Sequence, residues 1–137
     1  MHPKELRYSP EHVWLRDEGG GRFRLGLTYR YQEQVKSVVY LELPRVGNEI
    51  KRGEAFGAIE SSKVSTDLVS PIDGTVLEVN ALVAEKPGLV NKDPYGQGWL
   101  ILTQAPIANA EQTLMSAEEY LAAVSGGEAP WQQARPR

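Results

Sequence analysis

The 137-residue chain reads as a mainly β protein, a sandwich or flattened barrel with a few short helices beside it. Three observations predict this class. The segment Arg22-Phe23-Arg24-Leu25-Gly26-Leu27 alternates strictly, the period-two mark of a half-buried strand. From Val46 to Asn80, short apolar runs recur between tight turn clusters, the spacing expected of many short strands. Helix-opening signals stand after Thr28 and at Ser116, each opening a short helix.

Taken in order, His12-Val13-Trp14-Leu15-Arg16 is the hairpin partner of the 22–27 strand, across the turn Asp17-Glu18-Gly19-Gly20-Gly21. Thr28 predicts a helix cap through its hydroxyl, with Leu27 and Tyr31 stapling the first turn of a helix that runs to Val35. Val38 to Leu43 predicts a further strand, ended by Pro44. Gly47-Asn48 and Lys51-Arg52-Gly53-Glu54 are turn clusters after it. Ala55 to Glu60 and Asp67 to Ser70 are then two strand segments flanking a polar tip. Pro71-Ile72-Asp73-Gly74 turns into the strand Thr75 to Val79. Glu85 to Gly98 is rich in Gly and Pro and reads as a loop, leading to a strand at Trp99-Leu100-Ile101-Leu102. Ser116-Ala117-Glu118-Glu119 is a capping box, opening a helix that carries Tyr120, Leu121 and Val124. Residues 1–125 are expected to form one domain, and 126–137, composed of Gly, Pro and polar residues, a disordered tail.

Composition narrows the function. A net charge of -3 with no basic stripe argues against nucleic acid as a partner. No apolar stretch is long enough to span a bilayer and the N-terminus shows no apolar signal region, so no membrane is expected and the expected location is cytoplasmic. The chain has 0 cysteines, so any thiol or redox chemistry must come from a group added to it. The two histidines, His2 and His12, are too few and too poorly accompanied for a metal site.

One window stands out. Glu60-Ser61-Ser62-Lys63-Val64-Ser65-Thr66-Asp67 places a lysine among small and polar residues at the tip between two strands. Small neighbours leave room for an enzyme to reach the amine, and the four-carbon stem is the root of a flexible arm. Taken alone, this window reads best as an ordinary solvated turn lysine, since exposed lysines at turns are common.

The surrounding sequence adds a resemblance. Tyr8-Ser9-Pro10-Glu11-His12 with Trp14-Leu15, Gly26-Leu27-Thr28, Gln32-Glu33, Leu41-Glu42-Leu43-Pro44 and Val46-Gly47 lead into Glu60-Ser61-Ser62-Lys63. Ser70-Pro71 with Gly74, Glu78-Val79-Asn80, Leu89-Val90-Asn91 and Pro94-Tyr95-Gly96 to Gly98-Trp99 come after. In order and spacing, from about Leu6 to Tyr120, this resembles the H-protein family, the lipoyl carriers of the glycine cleavage system. The resemblance implies a barrel-sandwich hybrid of the lipoyl/biotinyl type, with lipoic acid joined covalently to Lys63. Glu60, Ser61 and Ser62 would help present the lysine, and Asp67 would neighbour the arm. Biotinyl domains share the architecture, but their lysine usually sits between methionines, whereas Ser62 and Val64 flank Lys63. A carrier of this kind is not an enzyme. Its implied partners are a lipoate ligase or lipoyl transferase, dihydrolipoamide dehydrogenase, and the enzymes that load and unload the arm.

Three departures bear on the cargo. The family usually reads Glu-His-Glu-Trp where this chain has Glu11-His12-Val13-Trp14, which removes a carboxylate that would hold the amine of an aminomethyl-loaded arm. Val35-Lys36-Ser37 stands where Leu-Gly-Asp or Leu-Gly-Glu is usual, and Tyr29-Arg30-Tyr31 replaces a segment that usually carries a small alanine at its third place. The departures favour the lipoate-binding branch of sulfur oxidation, serving a heterodisulfide-reductase-like complex. The alternative is a glycine cleavage carrier serving the glycine cleavage enzymes, and a further one is an unmodified interaction module.

The other prominent residues have structural expectations. His12 is expected to pack or hydrogen-bond, Trp14 and Trp99 to fill the core or cover a sheet edge, and Asn91 to Gly96 to form a structural loop that lines a cleft at most. Glu111, Glu118 and Glu119 are expected to be helix-surface and capping acids.

Overall fold

The structure is a computed structural model that describes residues 3, 5–105 and 114–125. Its elements are β1 (Arg7–Tyr8), β2 (Val13–Gly19), β3 (Arg22–Leu27), α1 (Tyr29–Val35), β4 (Val38–Glu42), β5 (Glu49–Ile50) and β6 (Ala55–Ser61). They continue as β7 (Ser65–Val69), β8 (Gly74–Val79), α2 (Ala81–Glu85), α3 (Leu89–Lys92), β9 (Ile101–Gln104) and α4 (Ala117–Ser125). A six-stranded sheet has the order β1-β2-β3-β9-β8-β5, and a three-stranded sheet the order β4-β6-β7. Every pairing is antiparallel. This is the barrel-sandwich architecture expected, with the helices peripheral.

Apolar residues from both sheets meet in one core. Leu15, Phe23, Leu25 and Ile101 come from the larger sheet, and Leu41, Ile59 and Leu68 from the smaller. The strict alternation of β3 sends Phe23, Leu25 and Leu27 inward while Arg22 and Arg24 stay toward solvent.

β2 is buried on both faces at its start. Val13 and Leu15 enter the main core, while Trp14 points the other way into a second cluster with Leu6, Tyr8, Ala117 and Tyr120. Trp14 lies opposite Gly26, where a Cβ would come within 2.5 Å of the indole ring, so glycine is the residue that fits. The indole N–H donates to the Pro94 carbonyl at 2.9 Å, which satisfies the buried donor.

The helix signals at Thr28 and Ser116 act as anticipated. The Thr28 hydroxyl accepts from the Tyr31 N–H at 3.1 Å, and Leu27 and Tyr31 are both buried. At α4 the Ser116 N–H donates to the Glu119 carboxylate at 2.8 Å and the Glu119 N–H donates to the Ser116 hydroxyl at 3.1 Å, the reciprocal pair of a capping box. Tyr120 is buried and Leu121 exposed; the side chain of Val124, Glu111 and the 126–137 segment lie outside what the structure describes.

Three expectations need correction. The Glu85–Gly98 segment is not loop throughout, because α3 forms inside it, with Pro87 and Gly88 leading into its short turn. The strand expected at 99–102 runs instead from Ile101 to Gln104, since pairing with Phe23 and Val76 through Thr103 sets its register. β1 and β5, each of two residues, and the five-residue α2, capped by the Asn80 side chain accepting from the Leu82 N–H at 3.1 Å, fall outside the expected elements, being too short to show a period.

Candidate functional site

The β6–β7 hairpin ends in Ser61-Ser62-Lys63-Val64, with Lys63 exposed at its tip. One side chain organises the turn. The Ser61 hydroxyl accepts from the N–H of Lys63 at 3.1 Å and of Val64 at 3.0 Å, and lies 3.2 Å from the Val64 carbonyl. The Ser61 N–H also donates to that carbonyl at 2.9 Å, closing the turn. The backbone under Lys63 is therefore fixed while its side chain projects into solvent.

The tip is also latched sideways. The Ser62 N–H donates to the Ser37 carbonyl at 2.9 Å, tying the hairpin to the junction between α1 and β4. That junction is clamped by Asn91 on α3. Its amide donates to the Lys36 carbonyl at 2.7 Å and to the Gln32 side chain at 3.1 Å, and its oxygen accepts from the Val38 N–H at 2.9 Å. A continuous chain of hydrogen bonds runs from α3 to the residue preceding Lys63. Sequence reasoning did not anticipate Ser37 or this use of Asn91. The segment Leu89-Val90-Asn91 was a visible signal, but the carbonyls it grips are not readable from side-chain type.

Glu60 and Asp67 face outward on the three-stranded sheet. Glu60 pairs with Ser65 and with Tyr40, and Asp67 pairs with Ala58, so the two acids are diagonal neighbours on one face. Asp67 sits two residues along β7 from Ser65, not at the tip itself. With Glu42 and Arg45 it lines a depression of ≈ 420 Å³. Glu60, Ser61 and Ser62 thus gather at Lys63, while Asp67 stands a little below them. Val39 and Tyr40 of β4, 59% and 55% exposed, lie on the same end of the sheet, Val39 at an irregularity in the pairing.

The cargo-related departures separate in space. Val13 is 1% exposed and belongs to the main core, so a carboxylate there would have to be buried. Lys36 follows α1 with φ 69 and ψ -150, a backbone region that is essentially glycine's own.

The residues singled out elsewhere are structural. His12 is buried, its Nδ1 in a hydrogen bond with the Tyr120 hydroxyl, and Thr28 Oγ1 lies 2.8 Å from the same hydroxyl. Trp99 is half-buried, with the Arg24 guanidinium 4.2 Å over its ring. Among the described residues no group of three or more His, Asp or Glu could hold a metal ion, and no helix is long and apolar enough to cross a membrane.

Comparison with known proteins bears on what such a tip is for. The family model described as glycine cleavage H-protein matches residues 6–126. The glycine cleavage system H protein of Bacteroides thetaiotaomicron is 44% identical over 124 residues, covering 90% of this chain and 98% of that protein. The Bacillus subtilis glycine cleavage system H protein is 44% identical over 118 residues, covering 86% and 92%. A crystal structure of a glycine cleavage system H protein from Mycobacterium marinum superposes with a TM-score of 0.80 at 34% identity, covering 88% of this chain and 96% of that one.

Proposed function

The chain belongs to the glycine cleavage H-protein family, non-catalytic carriers of lipoic acid on a lysine, and we propose that Lys63 is that lysine and glycine cleavage the process it serves. The observation that carries the attachment site is the hairpin tip. Lys63 is exposed on a turn whose backbone is held by Ser61 and Ser62, so the amine is accessible while its root stays in register. The residues present fit the group: with 0 cysteines the chain has no thiol of its own, and small side chains surround the amine. When bound, a lipoyl group supplies two sulfurs that open, carry a load and close again as a disulfide. Tethering raises its effective concentration at each docked partner.

Glu60, Ser61 and Ser62 present the lysine to a lipoate ligase or lipoyl transferase, and Asp67 marks the acidic face along which the arm lies. That face supports the glycine cleavage reading. Glu42, Glu60 and Asp67 all project from it, which favours a cationic amine load. The partners are then the glycine cleavage enzymes, with dihydrolipoamide dehydrogenase reoxidising the arm.

A second reading, sulfur transfer to a heterodisulfide-reductase-like complex, is favoured by one specific observation. Val13 is buried and apolar where the family usually has a carboxylate. The experiment is to incubate the lipoylated chain with glycine radiolabelled at its methylene carbon and a glycine decarboxylase, the carboxyl carbon leaving as carbon dioxide. Transfer of label to the chain, abolished in Lys63→Arg, supports glycine cleavage. No transfer, with adduct formation from a sulfur donor instead, replaces it by the second reading.

A further inference from the structure

The departures that surround Lys36 converge on one place. A cleft of ≈ 450 Å³ lies beside the latch of the hairpin tip, lined by Gln32, Glu33, Lys36, Ser37, Asn91 and Lys92 among others. Both lysines are exposed, and neither forms an ion pair with any described residue. Lys36 occupies a φ of 69 with ψ -150, where any side chain is strained and glycine is not. The strained conformation is over-determined by its surroundings. The Lys36 N–H donates to the Gln32 carbonyl at 3.0 Å, the Lys36 carbonyl accepts from Asn91, and the next carbonyl holds Ser62. The chain thus places a lysine at a position whose backbone is built for glycine, at the edge of a cleft that a second lysine, Lys92, also lines.

We propose that this cleft is a binding site for a small oxyanion, a sulfur oxyanion or a carboxylate, held between the Lys36 and Lys92 ammonium groups next to the Lys63 tip. Two cationic residues lining one cleft attract an anion and disfavour an amine. Glu33 also lines the cleft and opposes this with one charge against two. The Asn91 side chain and the Gln32 side-chain oxygen are taken up by the clamp, so recognition falls to the lysines, the Gln32 NH2 group and the exposed Ser37. The site stands whether or not the arm is present. Only its use, to hold the charged end of an oxidised sulfur load, rests on the second reading above.

The test is a titration of the unlipoylated full chain, monitored by the amide chemical shifts of Ser37, Val38, Ser62 and Lys92. Sodium thiosulfate, sodium acetate and methylammonium chloride are compared at constant ionic strength. The expected result is saturable shifts with the anions and none with methylammonium. Lys36→Gly and Lys36→Gln should each weaken the anion response by about tenfold, as for loss of a charge-assisted contact. Lys36→Gly should also raise the melting temperature, a gain that Lys36→Gln, still strained, does not share. Tighter binding of thiosulfate than of acetate assigns the site to sulfur oxyanions, and the reverse order assigns it to carboxylates. Shifts that are linear in concentration, or the same in the wild type and both variants, overturn the proposal. The Lys63→Arg variant should bind as the wild type does, so failure of the anion site and failure of Lys63 as attachment site are read separately.

Discussion

Two regions of this molecule are built on opposite principles. In one, Tyr8, Trp14 and Tyr120 are each 0% exposed, Tyr8 and Tyr120 stacked with ring centroids 4.9 Å apart. In the other, Lys63 is exposed, only Val64 beside it packs against the core, and the turn is held by a serine hydroxyl, a few backbone hydrogen bonds and one asparagine. The first region derives its stability from apolar area removed from water, the second its shape from directional bonds at the surface. A carrier needs this division. The residue that is modified and meets several enzymes must be changeable without cost to the fold, so the fold is secured elsewhere.

The contrast is sharpest in substitutions that remove packing. Trp14→Ala should destabilise by about 3–5 kcal/mol, as for other large buried aromatics, measured by urea denaturation of the full chain. At the tip the strongest effect should come from Asn91→Ala. It removes bonds to Lys36, Val38 and Gln32 together and should cost about 1–3 kcal/mol. Faster hydrogen exchange at Val38 and Ser62 would show the latch opening, whereas unchanged exchange would mean that the junction holds without the clamp.

Alkaline pH should separate the two regions in the same way. Burial pushes the Tyr95 hydroxyl up from 10.0 to about 12, against a hydrogen bond from the Tyr29 N–H that lowers it. Burial shifts Tyr8 and Tyr120 in the same direction. The unfolded chain therefore releases these protons at lower pH than the folded one. Their contribution to stability is complete below about pH 10 and is lost as pH rises toward and through the folded values. Near-ultraviolet circular dichroism should report loss of the aromatic region over that window. A flat stability profile between pH 9 and about 12 would contradict the assignment of those hydroxyls to the interior.

Smaller effects are expected at the tip itself. Lys36→Gly should stabilise by about 1 kcal/mol, the relief of strain less the glycine's greater loss of backbone freedom. Lys63→Arg should leave the unfolding midpoint within about 0.5 kcal/mol of the wild type, as expected of an exposed side chain away from packing. A larger drop would make Lys63 a structural residue.

Much of the fold was legible in the sequence because alternation and turn chemistry are local. β3 and the helix behind Thr28 start and end where their patterns do, since Phe23, Leu25 and Leu27 face one core and the Thr28 hydroxyl caps α1. β9 was displaced because its register is decided by β3 and β8 on either side, not by its own apolar run. The site divides similarly. Lys63, Glu60 and the serines were legible as a polar tip between strands and gained meaning from the family pattern. The latch was not, because Ser37 acts through its carbonyl and Asn91 grips backbone, and neither contact depends on a recognisable motif. Lys36 was visible as a departure, but only the positive φ shows that the chain keeps a glycine's conformation under it. On cargo, the sequence leaned toward sulfur through Val13 and Lys36, while the named relatives and the acidic face favour glycine cleavage.

The central claim is that Lys63 carries the lipoyl group, and peptide mapping by mass spectrometry of the chain purified from its own cells tests it most directly. The account predicts a lipoyl-sized adduct on the peptide containing Lys63 and on no other lysine. A bare Lys63 in all of the material, or the adduct on a different lysine, would contradict it.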